Sequence, residues 1–472
     1  MPSALSEAKY INFPSLPADA KHPDSSPVLK RHSTLSPEAM ISPAHGEEMR
    51  FFLQTRELIA DSVETVTCAQ YHDACIAIPG CDKNMPGVAA GAYAYGTLRQ
   101  PDDSGDQTKS QDEIMDDLER HACPGAGACG GMFTANTMAT AIESMGLSLP
   151  GSSSTPAESP SKMRECVRAA DAIKVCLEKN IWPRDLLTKR SFENALVMTM
   201  ALGGSIKGVL HFLAMARTAG VDLTLNDIQR VSNKIPFIAN LSPSGKYYMA
   251  DLYEIGGVPS VQKLLVAAGL LDGDIPTVTG KTLAENVALF PSLTEGQDLI
   301  RPLDNPIKAS GHLQILRDTL HQAVPSPRLP ARKGSGRIPR GENLVIIVRY
   351  EGPNDGPGMP EQLKASAALM GAKLTNVALI TDGRYSGASH GFIVGHIVPE
   401  AAVDGPIALI RDGDIVTIDA ETNSLSMDVL DEELQERRRE WTPPSPQITR
   451  GVLAKYARLV SDASQGAMTD LF

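Results

Sequence analysis

Apolar residues recur at helical spacing through the first two thirds of the chain. The segment FFLQTRELIADSVETV, which starts at Phe51, has the repeat of an amphipathic helix, and MFTANTMATAIESMGL, which starts at Met132, also reads as a helix. Two apolar helical runs between residues 191 and 217 are separated by Gly203-Gly204-Ser205. Thr224 and Asp227 match a variant capping box and predict the start of another helix.

The pattern changes to short apolar runs in the last third of the chain. NLVIIVRY, NVALI, PIALI and DIVTIDA read as β-strands, with turn signals such as Asp412-Gly413 between several of them. Helical patterns return at DEELQERRRE and VLAKYARLV. Earlier in the chain, one short strand is predicted at residues 76–78, before the turn Pro79-Gly80.

These patterns divide the chain into three parts. Residues 1–45 contain seven prolines and predict an irregular arm, either poorly ordered or extended. Residues 46–325 predict an α/β domain, and residues 326–472 a compact β-rich domain with a few helices. The boundary is placed in the stretch 324–341, which is rich in proline, glycine and basic residues.

Composition is ordinary for a soluble globular protein of two or three domains, with 42% hydrophobic and 21% charged residues in 472. The net charge of -12 argues against nucleic acid and anionic membranes as partners. No apolar run approaches the roughly 18 residues of a membrane span. The first 30 residues lack a secretory pattern and carry acids that transit peptides usually avoid. We therefore expect an intracellular protein, with cytoplasmic and mitochondrial locations not separated.

The chain has an odd number of cysteines, which argues against a disulfide framework in a large intracellular protein. This leaves buried thiols, metal ligands or nucleophiles as their roles. Two pairs, Cys75/Cys81 and Cys123/Cys129, share a five-residue gap, but that spacing does not identify a metal site. The seven residues are Cys68, Cys75, Cys81, Cys123, Cys129, Cys166 and Cys176.

Reactive side chains concentrate in three glycine-rich segments. The first, residues 80–87, presents Cys81, Asp82 and Lys83 in succession. A thiolate suits iron, a carboxylate suits a hard divalent cation, and a carbamylated lysine offers anionic oxygens. An ordinary solvated loop is the competing reading, and the residues alone leave both open.

The second segment, residues 123–131, has glycines before a predicted helix, as where backbone approaches a cluster or an anion closely. In the third, residues 381–387, Ser386 follows a predicted strand and suits a base or nucleophile. It does not fit the G-x-S-x-G elbow. A rigid loop that ends in the carboxylate of Glu361 precedes this third segment.

Together these segments resemble the dihydroxy-acid dehydratase and phosphogluconate dehydratase family. The resemblance runs in order from about Met49 to the C-terminus. It includes HACPGAGACGGMFTANTMA, GKTLAENVA, IRPLDNPIK, GHLQILR, YEGPNDGPGMPE, TDGRYSGASHGFIVGH and RGVLAKYARLVSDAS.

The resemblance implies a hydro-lyase that converts a 2,3-dihydroxy carboxylic acid into a 2-keto acid. It implies an α/β domain that carries a 2Fe–2S cluster and Mg²⁺, a barrel-like β-rich second domain, and assembly as a homodimer or homotetramer. The residues that match the family's site are Cys81 and Cys129 for the cluster, Asp82, carbamylated Lys83, Glu361 and Glu47 for Mg²⁺, and Ser386 for proton abstraction. Cys123 lies in the motif without a family role, so the buried-thiol interpretation is favoured for it.

The sequence departs from the family at several points, which include shortened stretches at residues 96–112 and 324–341. The family's first cluster cysteine lies upstream of the matched region, and residues 1–48 contain no cysteine. The family's metal-side aspartate would fall near Met40, where Glu38 is the nearest acid. The helix break reads Gly203-Gly204-Ser205-Ile206-Lys207, where the family typically has Ser-Thr-Asn, and Lys207 either favours a more anionic substrate or points to solvent.

Three interpretations follow from these departures. The first is an active dehydratase with altered cluster ligation, such as a specialised paralogue in secondary metabolism rather than in valine and isoleucine synthesis. The second is a non-catalytic relative that acts by binding or oligomerising. The third is an incomplete version of a normal enzyme. The density of intact site residues favours the first.

Overall fold

The computed structural model of the chain describes residues 6–13, 30–36, 50–69, 74–79, 83–95, 129–318, 328–333, 344–354, 356–374, 376–385, 389, 392–419, 422–446 and 448–470. The chain forms two compact units. Unit 1 comprises Met1–Ser42 and Thr55–Leu313, and unit 2 comprises Pro43–Gln54 and Gln314–Phe472.

Helices predominate in unit 1, and the helices from Leu363 onward belong to unit 2. The helices are α1 Arg50–Ala69, α2 Asn84–Tyr95, α3 Thr134–Ser144, α4 Pro160–Lys179, α5 Pro183–Leu186, α6 Lys189–Leu202, α7 Lys207–Thr218, α8 Leu225–Lys234, α9 Met249–Glu254, α10 Gly257–Ala267, α11 Leu283–Val287, α12 Leu363–Gly371, α13 Pro406–Leu409, α14 Asp431–Glu440 and α15 Val452–Leu459. Searched over the described residues, no helix combines the length and the apolar character that a bilayer span requires.

The strands are β1 Ser6–Phe13, β2 Lys30–Ser36, β3 Ala74–Ile78, β4 Arg317–Asp318, β5 Arg328–Lys333, β6 Leu344–Val348, β7 Val377–Thr381, β8 Phe392–Val394, β9 Ile415–Asp419 and β10 Ser424–Met427. In unit 1, β1 lies between β2 and β3 and pairs antiparallel with both. Part of the 1–45 region, for which an irregular or extended arm was expected, is thus extended backbone.

The helix signals read from the sequence are confirmed where the structure describes them. The glycine break separates α6 from α7, and Gly203 adopts the left-handed φ of 77° that ends α6. A Cβ on Gly204 would lie 2.9 Å from the Thr137 methyl, so the two helices meet α3 closely at this break. Thr224 caps α8 and accepts a hydrogen bond from the Asp227 N–H at 3.3 Å.

Unit 2 contains a seven-stranded mixed sheet in the order β4-β10-β9-β5-β6-β7-β8. Strands β5 to β8 are parallel, whereas β9 runs antiparallel to β5 and β10. The central strands β6 and β7 are buried on both faces, because Val345 and Ile380 belong to one core cluster and Ile346 and Leu379 to another. Burial on both faces explains their continuous apolar runs.

The sheet of unit 2 is open in the described residues, since the edge strands β4 and β8 are not paired with each other. The mixed helix-and-sheet class is confirmed, and the barrel-like closure expected for this domain is not. The PIALI run, expected to be a strand, is the short helix α13. Proline at the first position of a helix already has a helical φ angle, and Pro406 stands there. An apolar run as short as PIALI does not distinguish the period of a helix from that of a strand. Strand β5 lies inside the 324–341 stretch read as a linker.

Candidate functional site

Lys83 stands immediately before helix α2 and is 1% exposed. Its carbonyl accepts a hydrogen bond from the Gly87 N–H at 3.1 Å, which closes the first helical turn. A Cβ on Gly87 would lie 2.6 Å from the Arg56 carbonyl of α1. Gly87 is therefore required by the close packing of α2 on α1. Lys83 lies at the start of this packed helix.

Cys129 is half-buried and lies five residues before helix α3. The Asn136 amide donates hydrogen bonds to the carbonyls of Cys129 and Gly131, at 2.7 and 2.6 Å. The Met132 N–H donates to the Ser242 carbonyl at 2.7 Å, and a Cβ on Gly131 would lie 2.8 Å from the same oxygen. The backbone beside the thiol is thus fixed from two sides.

The start of helix α7 adjoins the start of α3. The Thr134 hydroxyl donates to the Ser205 hydroxyl at 2.8 Å, and the Ser205 N–H donates to the Thr137 hydroxyl at 3.0 Å. Lys207, the first residue of α7, is 5% exposed. The interpretation of Lys207 as a solvent-facing residue is therefore wrong, because the residue is almost fully buried. Helix α2 packs against both α3 and α7.

In unit 2 the loop from Glu351 to Glu361 is packed against Arg50, the first residue of α1. Gly358 has a φ of +87°, and a Cβ on it would lie 1.5 Å from the Arg50 carbonyl oxygen. The Arg50 guanidinium forms an ion pair with Glu351 at 3.3 Å. The glycines of this loop thus let two backbone segments meet, which gives Glu361 a rigid support.

Glu361 is paired with Arg384 in both backbone and side chain. The two residues form a parallel β-bridge, and the Gln362 N–H donates to the Arg384 carbonyl at 2.9 Å. The Arg384 Nη1 atom lies 3.3 Å from Glu361 Oε1, with side-chain exposures of 0% and 7%. The Arg384 Nε–H donates to the Met359 carbonyl at 2.5 Å.

Asp382, two residues before Arg384, joins three backbone segments of unit 2. Its carboxylate accepts hydrogen bonds from the N–H groups of Tyr350 and Glu351 at 3.0 Å and of Ala401 at 2.9 Å. Burial raises the pKa of Asp382, and the three donors oppose that shift. Asp382 and Arg384 belong to a motif singled out by sequence, but only Ser386 was assigned a role there. An acid directly after a buried strand was the signal for Asp382.

Four predicted site residues lie outside the described residues, namely Glu47, Cys81, Asp82 and Ser386, and so does Cys123, for which a buried thiol was favoured. Lys83 and Cys129 belong to unit 1 and Glu361 to unit 2. The convergence of all these groups in one pocket stays a prediction. Within the described part of the chain, no three His, Cys, Asp or Glu side chains form a group suited to a metal ion.

Two other cysteines are buried core thiols, as the simpler interpretation of the cysteines predicted. Cys75 is packed in strand β3 with Ile59 and Val88, a position set by the core. The Cys176 thiol donates to the Val278 carbonyl at 3.2 Å, and burial raises the pKa of this thiol to about 12. A thiol with so high a pKa is a poor metal ligand.

Comparison with known proteins covers nearly the whole chain. The model of the dihydroxy-acid/6-phosphogluconate dehydratase N-terminal domain matches residues 34–98 and 96–286, and that of the C-terminal domain matches residues 329–467. The chain is 50% identical to the mitochondrial dihydroxy-acid dehydratase astD of Aspergillus terreus, over 89% of the chain and 78% of the relative. It is 49% identical to the mitochondrial dihydroxy-acid dehydratase of Schizosaccharomyces pombe, over 89% and 79%. It is 48% identical to the dihydroxy-acid dehydratase of Flavobacterium psychrophilum, over 89% and 84%.

These matches define the protein, with its two domains of mixed helix and sheet, as an enzyme of the dehydratase, or hydro-lyase, class. The chain belongs to the dihydroxy-acid/6-phosphogluconate dehydratase family.

Proposed function

We propose that the protein removes water from a 2,3-dihydroxy carboxylic acid and releases the 2-keto acid. The observation that carries this proposal is identity of about half the residues, across 89% of the chain, with proteins named dihydroxy-acid dehydratases. The reaction takes a proton from C2 and a hydroxide from C3, and the enol that remains becomes the ketone.

Cys81 and Cys129 would hold a 2Fe–2S cluster, and Asp82, carbamylated Lys83 and Glu361 would hold Mg²⁺, with Glu47 beside it. When bound, these groups supply Lewis acidity toward the 3-hydroxyl and toward the carboxylate and 2-hydroxyl. Burial of Lys83 at the start of helix α2 supports this assignment, because the competing interpretation was a lysine on a solvated loop. The fixed backbone at Cys129 and the restrained carboxylate of Glu361 fit ligands held in advance.

Ser386 would accept the C2 proton. A serine hydroxyl is a weak base at its usual pKa, so a neighbouring cation must stabilise its alkoxide. The two preceding residues, Arg384 and Tyr385, are fully buried, and this supports a fixed backbone leading to Ser386.

The experiment that tests the proposed function compares 2-keto acid formation by wild type and Ser386→Ala on a panel of 2,3-dihydroxy acids. Loss of a general base costs about 10² to 10⁴-fold in rate, so we expect a fall in that range with iron content unchanged. Ser389→Ala is the matched control, because its hydroxyl lies 3.4 Å from that of Ser366 and has no assigned role. Equal turnover in Ser386→Ala would remove Ser386 from the mechanism. A wild type inactive on every acid would favour the non-catalytic interpretation.

Cluster binding is testable separately, since only two of the family's three thiolates have counterparts in this sequence. After anaerobic reconstitution with iron and sulfide, we expect iron–sulfur absorption that Cys129→Ala abolishes and Cys176→Ala retains. Cys176 is the matched control because its thiol is buried and donates a hydrogen bond to the Val278 carbonyl. Iron and acid-labile sulfide near zero in wild type would contradict the cluster assignment.

We also propose an intracellular location and a homodimeric or homotetrameric state. The location is supported by relatives whose names include mitochondrial. Light scattering coupled to size-exclusion chromatography measures the oligomeric state, and a monomer at micromolar concentration would contradict that part.

A further inference from the structure

We propose that Arg384 is a positioning residue for Glu361, orienting its carboxylate to bind a divalent cation. The inference rests on the proposed function, in which Glu361 is a Mg²⁺ ligand. It deepens that function by giving a role to an arginine that lies outside the predicted set of ligands.

The first argument is that the two ends of the Arg384 guanidinium make different contacts. Its Nε–H donates to the Met359 carbonyl at 2.5 Å, which fixes the inner end of the group against the loop before Glu361. Its outer end faces Glu361, with Nη1 at 3.3 Å from Oε1. The inner contact orients the arginine, and the outer contact acts on the carboxylate.

The second argument is that the outer nitrogens of Arg384 need acceptors. The residue is 0% exposed, and within the described part of the chain neither Nη1 nor Nη2 makes a hydrogen bond. At 3.3 Å, Nη1 and Glu361 are within ion-pair range without hydrogen-bond geometry. Buried donors without acceptors are unfavourable, so Arg384 favours any arrangement that draws the Glu361 carboxylate toward it.

The third argument is that other acidic residues of unit 2 form hydrogen bonds or ion pairs with groups other than Arg384. Asp382 accepts three backbone N–H groups, and Glu351 pairs with Arg50. Glu400 accepts the Asn354 N–H at 2.9 Å. Glu361 is the acid that lies within ion-pair distance of Arg384 among the described residues.

The consequence concerns the orientation of the Glu361 carboxylate. The ion pair at Oε1 restrains the side chain, and the β-bridge between residues 361 and 384 fixes the backbone beneath both groups. Outer partners of metal ligands commonly change metal affinity about 10 to 100-fold.

The test measures Mn²⁺ binding to the full chain by loss of the free-ion electron paramagnetic resonance signal, at a temperature where every variant is folded. We expect Arg384→Gln to weaken Mn²⁺ binding by about 10-fold or more and Arg384→Lys to restore part of the loss. Arg437→Gln is the matched control, because Arg437 is also a buried arginine of unit 2 but pairs with Asp414 and Glu433. This control should lower stability and leave the Mn²⁺ affinity unchanged.

Glu361→Gln separates this inference from the proposed function. If Glu361→Gln abolishes binding and Arg384→Gln leaves the affinity unchanged, the positioning role is wrong while the ligand role stands. If Glu361→Gln leaves the affinity unchanged, the ligand role fails and the positioning role fails with it. If Arg384→Gln does not fold, Arg384→Lys gives the answer: wild-type affinity in a destabilised protein would overturn the proposal.

Discussion

At the residue scale, the side chains around the third glycine-rich segment have unequal roles. Asp382 and Arg384 bind backbone and a carboxylate, whereas Tyr385 faces the core cluster of Leu344, Ile346 and Leu379. The Tyr385 hydroxyl is buried, and among the described residues it makes no hydrogen bond. Burial also raises the pKa of this phenol, so it stays neutral at physiological pH.

We predict that Tyr385→Phe stabilises the protein. An unpaired buried hydroxyl costs about 1 to 3 kcal/mol, and phenylalanine fills the same space without it. The free energy of unfolding, measured by urea denaturation, should rise by about 1 kcal/mol. A lower free energy would show that the hydroxyl has a partner. A more stable variant that no longer forms 2-keto acid would assign the hydroxyl to the reaction.

At the element scale, capping interactions fix where the helices of unit 1 begin. Asp227 in the first turn of α8 accepts hydrogen bonds from Lys189 at 2.6 Å and from the Thr224 hydroxyl at 2.8 Å. Arg230 adds another at 3.0 Å. Burial alone would raise the pKa of Asp227, but these donors outweigh burial and hold its pKa well below the usual range.

This shift predicts a specific dependence of stability on pH. Because the folded-state pKa of Asp227 is depressed, its contribution is present above the unfolded value of about 3.9 and is lost as pH falls toward the folded value. Asp227→Asn should lower the free energy of unfolding by about 1 to 2 kcal/mol at pH 7 and by less at pH 3. Urea denaturation at the two pH values measures the difference, and an equal loss at both would contradict the assignment.

At the scale of the whole molecule, helix α1 is divided between the two units. Residues 43–54, which include the start of α1, group with unit 2, and the rest of α1 groups with unit 1. The contact between Gly358 and the Arg50 carbonyl lies within unit 2 and admits no side chain on the glycine. The absence of a side chain at Gly358 thus allows two backbone segments that are far apart in sequence to pack against each other.

We predict that Gly358→Ala destabilises unit 2 by about 3 kcal/mol or more, since it adds a steric clash to the cost of a left-handed backbone. Gly413→Ala is the matched control in the same unit. Gly413 also has a left-handed φ, of +97°, but nothing lies within 4 Å of an added Cβ. Gly413→Ala should lower the free energy of unfolding by about 1 kcal/mol. Equal losses in urea denaturation would show that the contact with Arg50 contributes nothing.

The elements that sequence predicted well are those whose signal is local. Helix α8 begins at a capping box, α6 ends at a left-handed glycine, and the buried strands β6 and β7 are continuous apolar runs. The PIALI run was misassigned because its helical turn depends on Gly405 and Pro406 and on packing in the core of unit 2. The order of strands in the sheet could not be predicted from the sequence either, because pairs such as β5 with β9 join segments that are distant along the chain.

By itself the sequence determined the family, the dehydratase class and the segments that hold the reactive side chains, because ordered motifs carry that information without coordinates. Tertiary structure decided how those side chains are held. Only the fold buries Lys83 and Lys207, brings Arg384 to within 3.3 Å of Glu361, and commits Asp382 to three backbone donors. The physical reason is that burial, pKa and ion pairing depend on atoms distant in sequence, which only the packed chain brings together.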